Sequence, residues 1–128
     1  MNAQLRDPLK RARGLGSAKN GVHHFVVQRL TAIALIPLGI WFLFVAVGLL
    51  RGDYASAHAL VANPCNAILM VAFLAALFWH AQLGLQVIIE DYVHNLWLAL
   101  PLQILVRFAC VLGAVAGMFA VIRIALGN

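Results

Sequence analysis

One histidine, His80, interrupts the apolar run 67–89 and stands 14th in it. An ionisable side chain that deep in a membrane-length segment is costly, so it needs a partner or a task. Imidazole there can ligate a metal or haem iron, relay a proton, or hydrogen-bond a neighbouring helix. Gly84, one helical turn on, leaves its backbone open to a flat macrocycle or to close packing of another helix. Two shorter stretches carry the other polar groups. GVHHFVVQR (21–29) supplies His23, His24, Gln28 and Arg29, and IEDYVH (89–94) supplies Glu90, Asp91, Tyr92 and His94. His80 and Asp91 are separated by about 1100° of helical turn, within ~20° of three full turns. They therefore share a face, about 16 Å apart, if the helix extends that far. Such a column suits electron or proton delivery between mid-membrane and surface. Equally, Glu90 and Asp91 can solvate a helix end, with Tyr92 and Trp97 as belt aromatics.

Only one histidine is deep. His23, His24 and His94 fall at one interface and His58 falls in a connection. A six-coordinate haem would thus take its second axial histidine from another polypeptide, which implies a hetero-oligomer if haem is bound.

Composition dictates what must hold these residues. Of 128 residues, 64% are apolar and 10% charged, with mean hydropathy +0.95. A soluble domain is about a quarter charged, so a soluble enzyme and a disordered chain are both excluded. The expected fold is all-α and integral to the membrane, a single anchor domain over 1–128 with transmembrane helices at 30–50, 67–89 and 102–126. Each run is long enough to cross a hydrocarbon core of ~30 Å. Pro37 falls inside the first span and predicts a kink unless neighbouring helices compensate. Residues 51–66 and 90–101 read as connections, the former rich in turn formers such as Gly52, Asp53, Asn63 and Pro64.

Residues 1–29 form a basic leader and interface segment. The long apolar run after it and the lack of a small-residue cleavage site argue against a secretory signal. The arginine content would suit a transit peptide, but little separates the leader from the motif-like segment. The net charge of +5 is concentrated at one end, which favours membrane orientation over nucleic-acid binding. Arg6, Lys10, Arg11, Arg13, Lys19, Arg29 and Arg107 fall on one side of three crossings, against Arg51 and Arg123 on the other. The positive-inside rule then places the N-terminus in the cytoplasm and the C-terminus in the periplasm. Cys65 and Cys110 fall at different depths and are expected to stay unpaired.

NGVHHFVVQRLTA (20–32) and HAQLGLQVIIEDYVH (80–94) resemble the hydrophobic membrane anchor subunits of succinate dehydrogenase, respiratory complex II, of the cytochrome b type. The most specific signal is H-A-x-x-G followed at fixed distance by D-Y. The resemblance implies that His80 is an axial ligand of one haem b, its iron shared with a second cytochrome b anchor subunit. It implies that His23 and Arg29 lie near the haem propionates, and that Tyr92, with Asp91 beside it, serves ubiquinone. FAD and iron–sulfur clusters would sit on flavoprotein and iron–sulfur subunits docked at a bacterial inner membrane. Alternatives are a quinol:fumarate reductase anchor running the reaction in reverse, and a haem-free structural anchor or small transporter in which His80 bonds another helix.

Overall fold

The computed structural model describes residues 18–127, with side chains from residue 22 onward. The leader residues Arg6, Lys10, Arg11 and Arg13 lie outside the described residues. Four helices follow in order: α1 Ala18–Arg51, α2 Tyr54–Ala62, α3 Pro64–Tyr92 and α4 Leu96–Ala125. Among the described residues there is no strand. Helices α1, α3 and α4 are each long and apolar enough to cross a membrane.

All three exceed the apolar runs that mark them. Helix α1 has 34 residues, about 51 Å at 1.5 Å each, so GVHHFVVQR forms its early turns rather than a separate piece. No strong breaker stands between Ala18 and Leu30 other than Gly21, and helical hydrogen bonding continues through polar residues as readily as apolar ones. Helix α1 also continues across Pro37.

The 51–66 connection contains a helix that the turn formers concealed, because those residues are its caps. Asp53 accepts from the Ser56 backbone N–H at 2.9 Å and from the Ser56 hydroxyl, starting α2. These bonds hold the Asp53 carboxyl below the usual carboxylate range. Asn63 does two tasks. Its N–H donates to the Ala59 carbonyl at 3.2 Å, closing α2, and its side chain accepts from the Cys65 N–H at 3.0 Å, opening α3 with Pro64 in the first turn. Between α3 and α4 only 93–95 are non-helical, with Asn95 capping α4 through the Trp97 N–H.

Helix α3 is the centre of the molecule. Both α1 and α4 pack on it, and among the described residues they do not pack on each other. Val45, Ala67, Met70 and Val121 form the buried cluster near α2, and Phe42 of α1 stacks on Phe73 of α3 with ring centroids 4.5 Å apart. The α3–α4 contact depends on a G-x-x-x-G pair, which lets helix surfaces approach closely. A Cβ at Gly113 would lie 2.6 Å from the Phe78 ring, and one at Gly117 would lie 3.1 Å from a Leu74 methyl. The expected result for Gly113→Val is a loss of about 1–3 kcal/mol from overpacking, read as a lower thermal midpoint of the purified protein. A parental midpoint would show that the Phe78 ring moves aside freely.

Both cysteines are free thiols, Cys65 exposed at the start of α3 and Cys110 buried in α4. Most remaining large apolar side chains face outward, Phe44 and Leu105 among them. In water this surface would aggregate; against lipid or other membrane helices it is satisfied.

Candidate functional site

His80 lies midway along α3, partly buried where α1 crosses. Its Nδ1 is 3.0 Å from Thr31 Oγ1 on α1. The Thr31 hydroxyl also lies within donating distance of two carbonyls of its own helix, Val27 at 2.9 Å and Gln28 at 3.0 Å. Nε2 of His80 makes no hydrogen bond among the described residues, and it is not one of the buried polar atoms left unpaired. It therefore reaches the surface of the three-helix unit.

Gly84 differs in kind from Gly113 and Gly117. A Cβ built there meets only the Gln28 amide nitrogen, at an ordinary 3.8 Å. Gly84 thus faces Gln28 of α1 with room to spare, and packing inside this chain does not require glycine there.

Helix α3 continues through Tyr92, so the His80–Asp91 relation holds: both lie on one face of a single helix. Asp91, Tyr92 and His94 are exposed, with 79% of Tyr92 accessible. Arg29 is exposed too, its guanidinium 5.1 Å above the Phe25 ring. His23 is six residues from Arg29, about 120° around α1, and the two are not brought together.

His23 lies instead at a cavity of about 530 Å³ in the cleft between α1 and α4, floored by α3. His24, Gln82, Gln86, Glu90 and Arg107 line the same space. Gln86 Nε2 donates to Glu90 Oε1 at 2.8 Å, an i,i+4 pair on α3. Residue types alone gave Gln82 and Gln86 no task, left His24 unassigned and used Arg107 only for orientation. Their four-residue spacing on α3 was the available signal. Two side-chain atoms on α1, His24 Nε2 and Gln28 Oε1, are buried without partners among the described residues. Buried polar atoms are nearly always satisfied, so these two need partners beyond the described residues.

Among the described residues no three His, Cys, Asp or Glu side chains converge.

A family model described as "Succinate dehydrogenase/Fumarate reductase transmembrane subunit" matches residues 3–121. The chain belongs to this family of transmembrane anchor subunits. A succinate dehydrogenase hydrophobic membrane anchor subunit of Rickettsia bellii is 36% identical over 122 residues, 94% of this chain and 97% of the relative. The corresponding subunit of Coxiella burnetii is 33% identical over 93 residues, 70% and 78% of the two chains. A succinate dehydrogenase membrane anchor subunit of Reclinomonas americana is 34% identical over 82 residues, covering 60% and 67%. As a succinate dehydrogenase anchor the chain is the multi-pass, membrane-embedded part of an enzyme complex and associates with its catalytic subunits.

Proposed function

We propose that this anchor serves succinate:ubiquinone oxidoreduction at a bacterial inner membrane, forming part of a haem b site and part of a ubiquinone site. The observation that carries the reading is His80, a mid-span histidine with Nδ1 bonded inside the chain and Nε2 without a hydrogen bond among the described residues. One imidazole makes one axial bond, so the other comes from a second cytochrome b anchor subunit. Bound there, haem b supplies a one-electron store within the membrane. His23 and Arg29, both exposed, are the groups offered to its propionates. Guanidinium and imidazole suit carboxylates because both present fixed N–H donors.

Asp91, on the His80 face, and Tyr92, about 120° round the helix from His80, end α3, both exposed where a docked subunit and a quinone ring could reach. FAD and the iron–sulfur clusters belong to the flavoprotein and iron–sulfur subunits, which oxidise succinate and deliver electrons to this end. Ubiquinone takes up two electrons and two protons, its carbonyl oxygens becoming hydroxyls. The Tyr92 O–H donates to one of those oxygens and holds the ring in place, and the Asp91 carboxylate stands next to it.

The orientation follows from charge: N-terminus cytoplasmic, C-terminus periplasmic. A periplasm-dependent reporter fused after Asn128 should therefore be active, and one placed at 93–95 should be silent. The reverse pattern would put Tyr92 on the side away from the soluble subunits and defeat the reading. A reduced-minus-oxidised spectrum of the purified complex lacking a b-type band would defeat the haem half alone.

A further inference from the structure

We propose that Thr31 is a positioning residue that fixes His80 as its Nδ1–H tautomer and so leaves Nε2 as the bare, ligating nitrogen. A neutral imidazole carries one ring proton, and Nδ1 either donates to Thr31 or accepts from it. The Thr31 hydroxyl has a single hydrogen and three neighbours in range: the Val27 and Gln28 carbonyls and His80 Nδ1. Carbonyl oxygens only accept, so those two contacts are hydrogen bonds only when the hydroxyl donates to its own helix. Oγ1 then presents a lone pair to α3, and the proton between the helices belongs to Nδ1. This arrangement satisfies more of the geometry than the reverse, in which both carbonyl contacts are lost.

The consequence lies on the other side of the ring. With hydrogen on Nδ1, Nε2 carries its lone pair at the atom that reaches the surface of the unit. Ligating histidines commonly donate their second ring N–H to an oxygen, which fixes ring orientation and raises ligand basicity. Thr31 supplies that oxygen from a different helix, so docking of α1 on α3 itself prepares the ligand. The step to iron rests on His80 being the axial ligand; the tautomer does not.

The test separates the two. Solid-state NMR of ring nitrogens is recorded on the haem-free full chain in bilayers, with His80→Leu identifying the His80 signals. Wild type and Thr31→Ser should show Nδ1 protonated and Nε2 bare, whereas Thr31→Val, nearly the same shape without the hydroxyl, should move much of the proton to Nε2. In the assembled complex Thr31→Val should weaken haem binding by about ten- to a hundredfold and raise the haem potential, with Thr31→Ser near wild type. An unchanged proton position in Thr31→Val overturns the proposal. So does parental haem affinity and potential in that variant when His80→Leu abolishes the low-spin spectrum. If His80→Leu leaves low-spin haem intact while Thr31→Val still moves the proton, the ligand reading falls and the tautomer assignment stands.

Discussion

In His80→Leu, the low-spin b-type spectrum of the complex should disappear, leaving haem absent or five-coordinate and high-spin. The size of the effect follows from counting ligands. This chain places one imidazole at mid-span, its Nδ1 bonded to Thr31, and leucine has no lone pair to replace it. Assembly should survive. Apart from the Thr31–His80 bond, the three long helices are joined by apolar contacts such as Phe42 on Phe73 and Phe78 against Gly113. Thr31 keeps the carbonyls of Val27 and Gln28 as hydrogen-bond acceptors. Leucine also removes a polar group from the apolar layer, a change that membrane helices tolerate. The measurement is a reduced-minus-oxidised spectrum together with subunit stoichiometry of the purified complex. A normal low-spin spectrum from a fully assembled variant would remove His80 as the ligand and leave it as a helix–helix hydrogen bond.

What the sequence could reveal was set by how strongly each residue violates its surroundings. His80 is legible because an imidazole inside an apolar run has few innocent explanations. The three spans are legible for the complementary reason: in them almost nothing is polar. Helix ends are harder, since the membrane-crossing signal stops where polarity begins while backbone hydrogen bonding does not. Helix α1 accordingly takes in His23 to Arg29, and α3 extends through Asp91 to Tyr92. Helix α2 was concealed because Asp53 and Asn63 serve equally well as turn residues and as caps, and only backbone geometry separates the two uses. Gly113 and Gly117 carried a readable G-x-x-x-G spacing, yet their partners Phe78 and Leu74 depend on which helix faces which.

Thr31 marks a different limit. A threonine within a span is unremarkable, because its hydroxyl bonds back to its own helix and leaves no unmet need. Its relation to His80, 49 positions away, exists only once α1 lies against α3. The polar cavity is similar. Arg107 reads from sequence as one more positive charge near a membrane edge, but the fold sets it around the same space as His23, His24 and Glu90. Pairwise juxtaposition across helices is the information that periodicity does not hold.

Tyr92→Phe should slow quinone reduction by roughly tenfold to a hundredfold while leaving the rest of the complex intact. Reduction puts electron density on the quinone carbonyl oxygens, so a donor aimed at one of them helps more as charge develops than in the ground state. Removing one such hydrogen bond costs about 1–3 kcal/mol, which gives the stated range of rates. Phenylalanine keeps the ring and deletes only the O–H. Tyr92 is 79% exposed at the last position of α3 and makes no side-chain hydrogen bond among the described residues, so the helix loses nothing internal. Haem content should accordingly stay at the parental value, since His80 is three turns away. Succinate oxidation coupled to an artificial dye, which takes electrons from the soluble subunits before they reach the membrane, should also be near normal. The deciding quantity is the ratio of the two activities, quinone-linked over dye-linked, because it cancels differences in expression and assembly. A fall in that ratio places Tyr92 at the quinone. A parental ratio, under conditions where quinone reduction limits turnover, makes Tyr92 an interfacial aromatic that merely anchors the end of α3, and moves the search for the donor to the partner subunits.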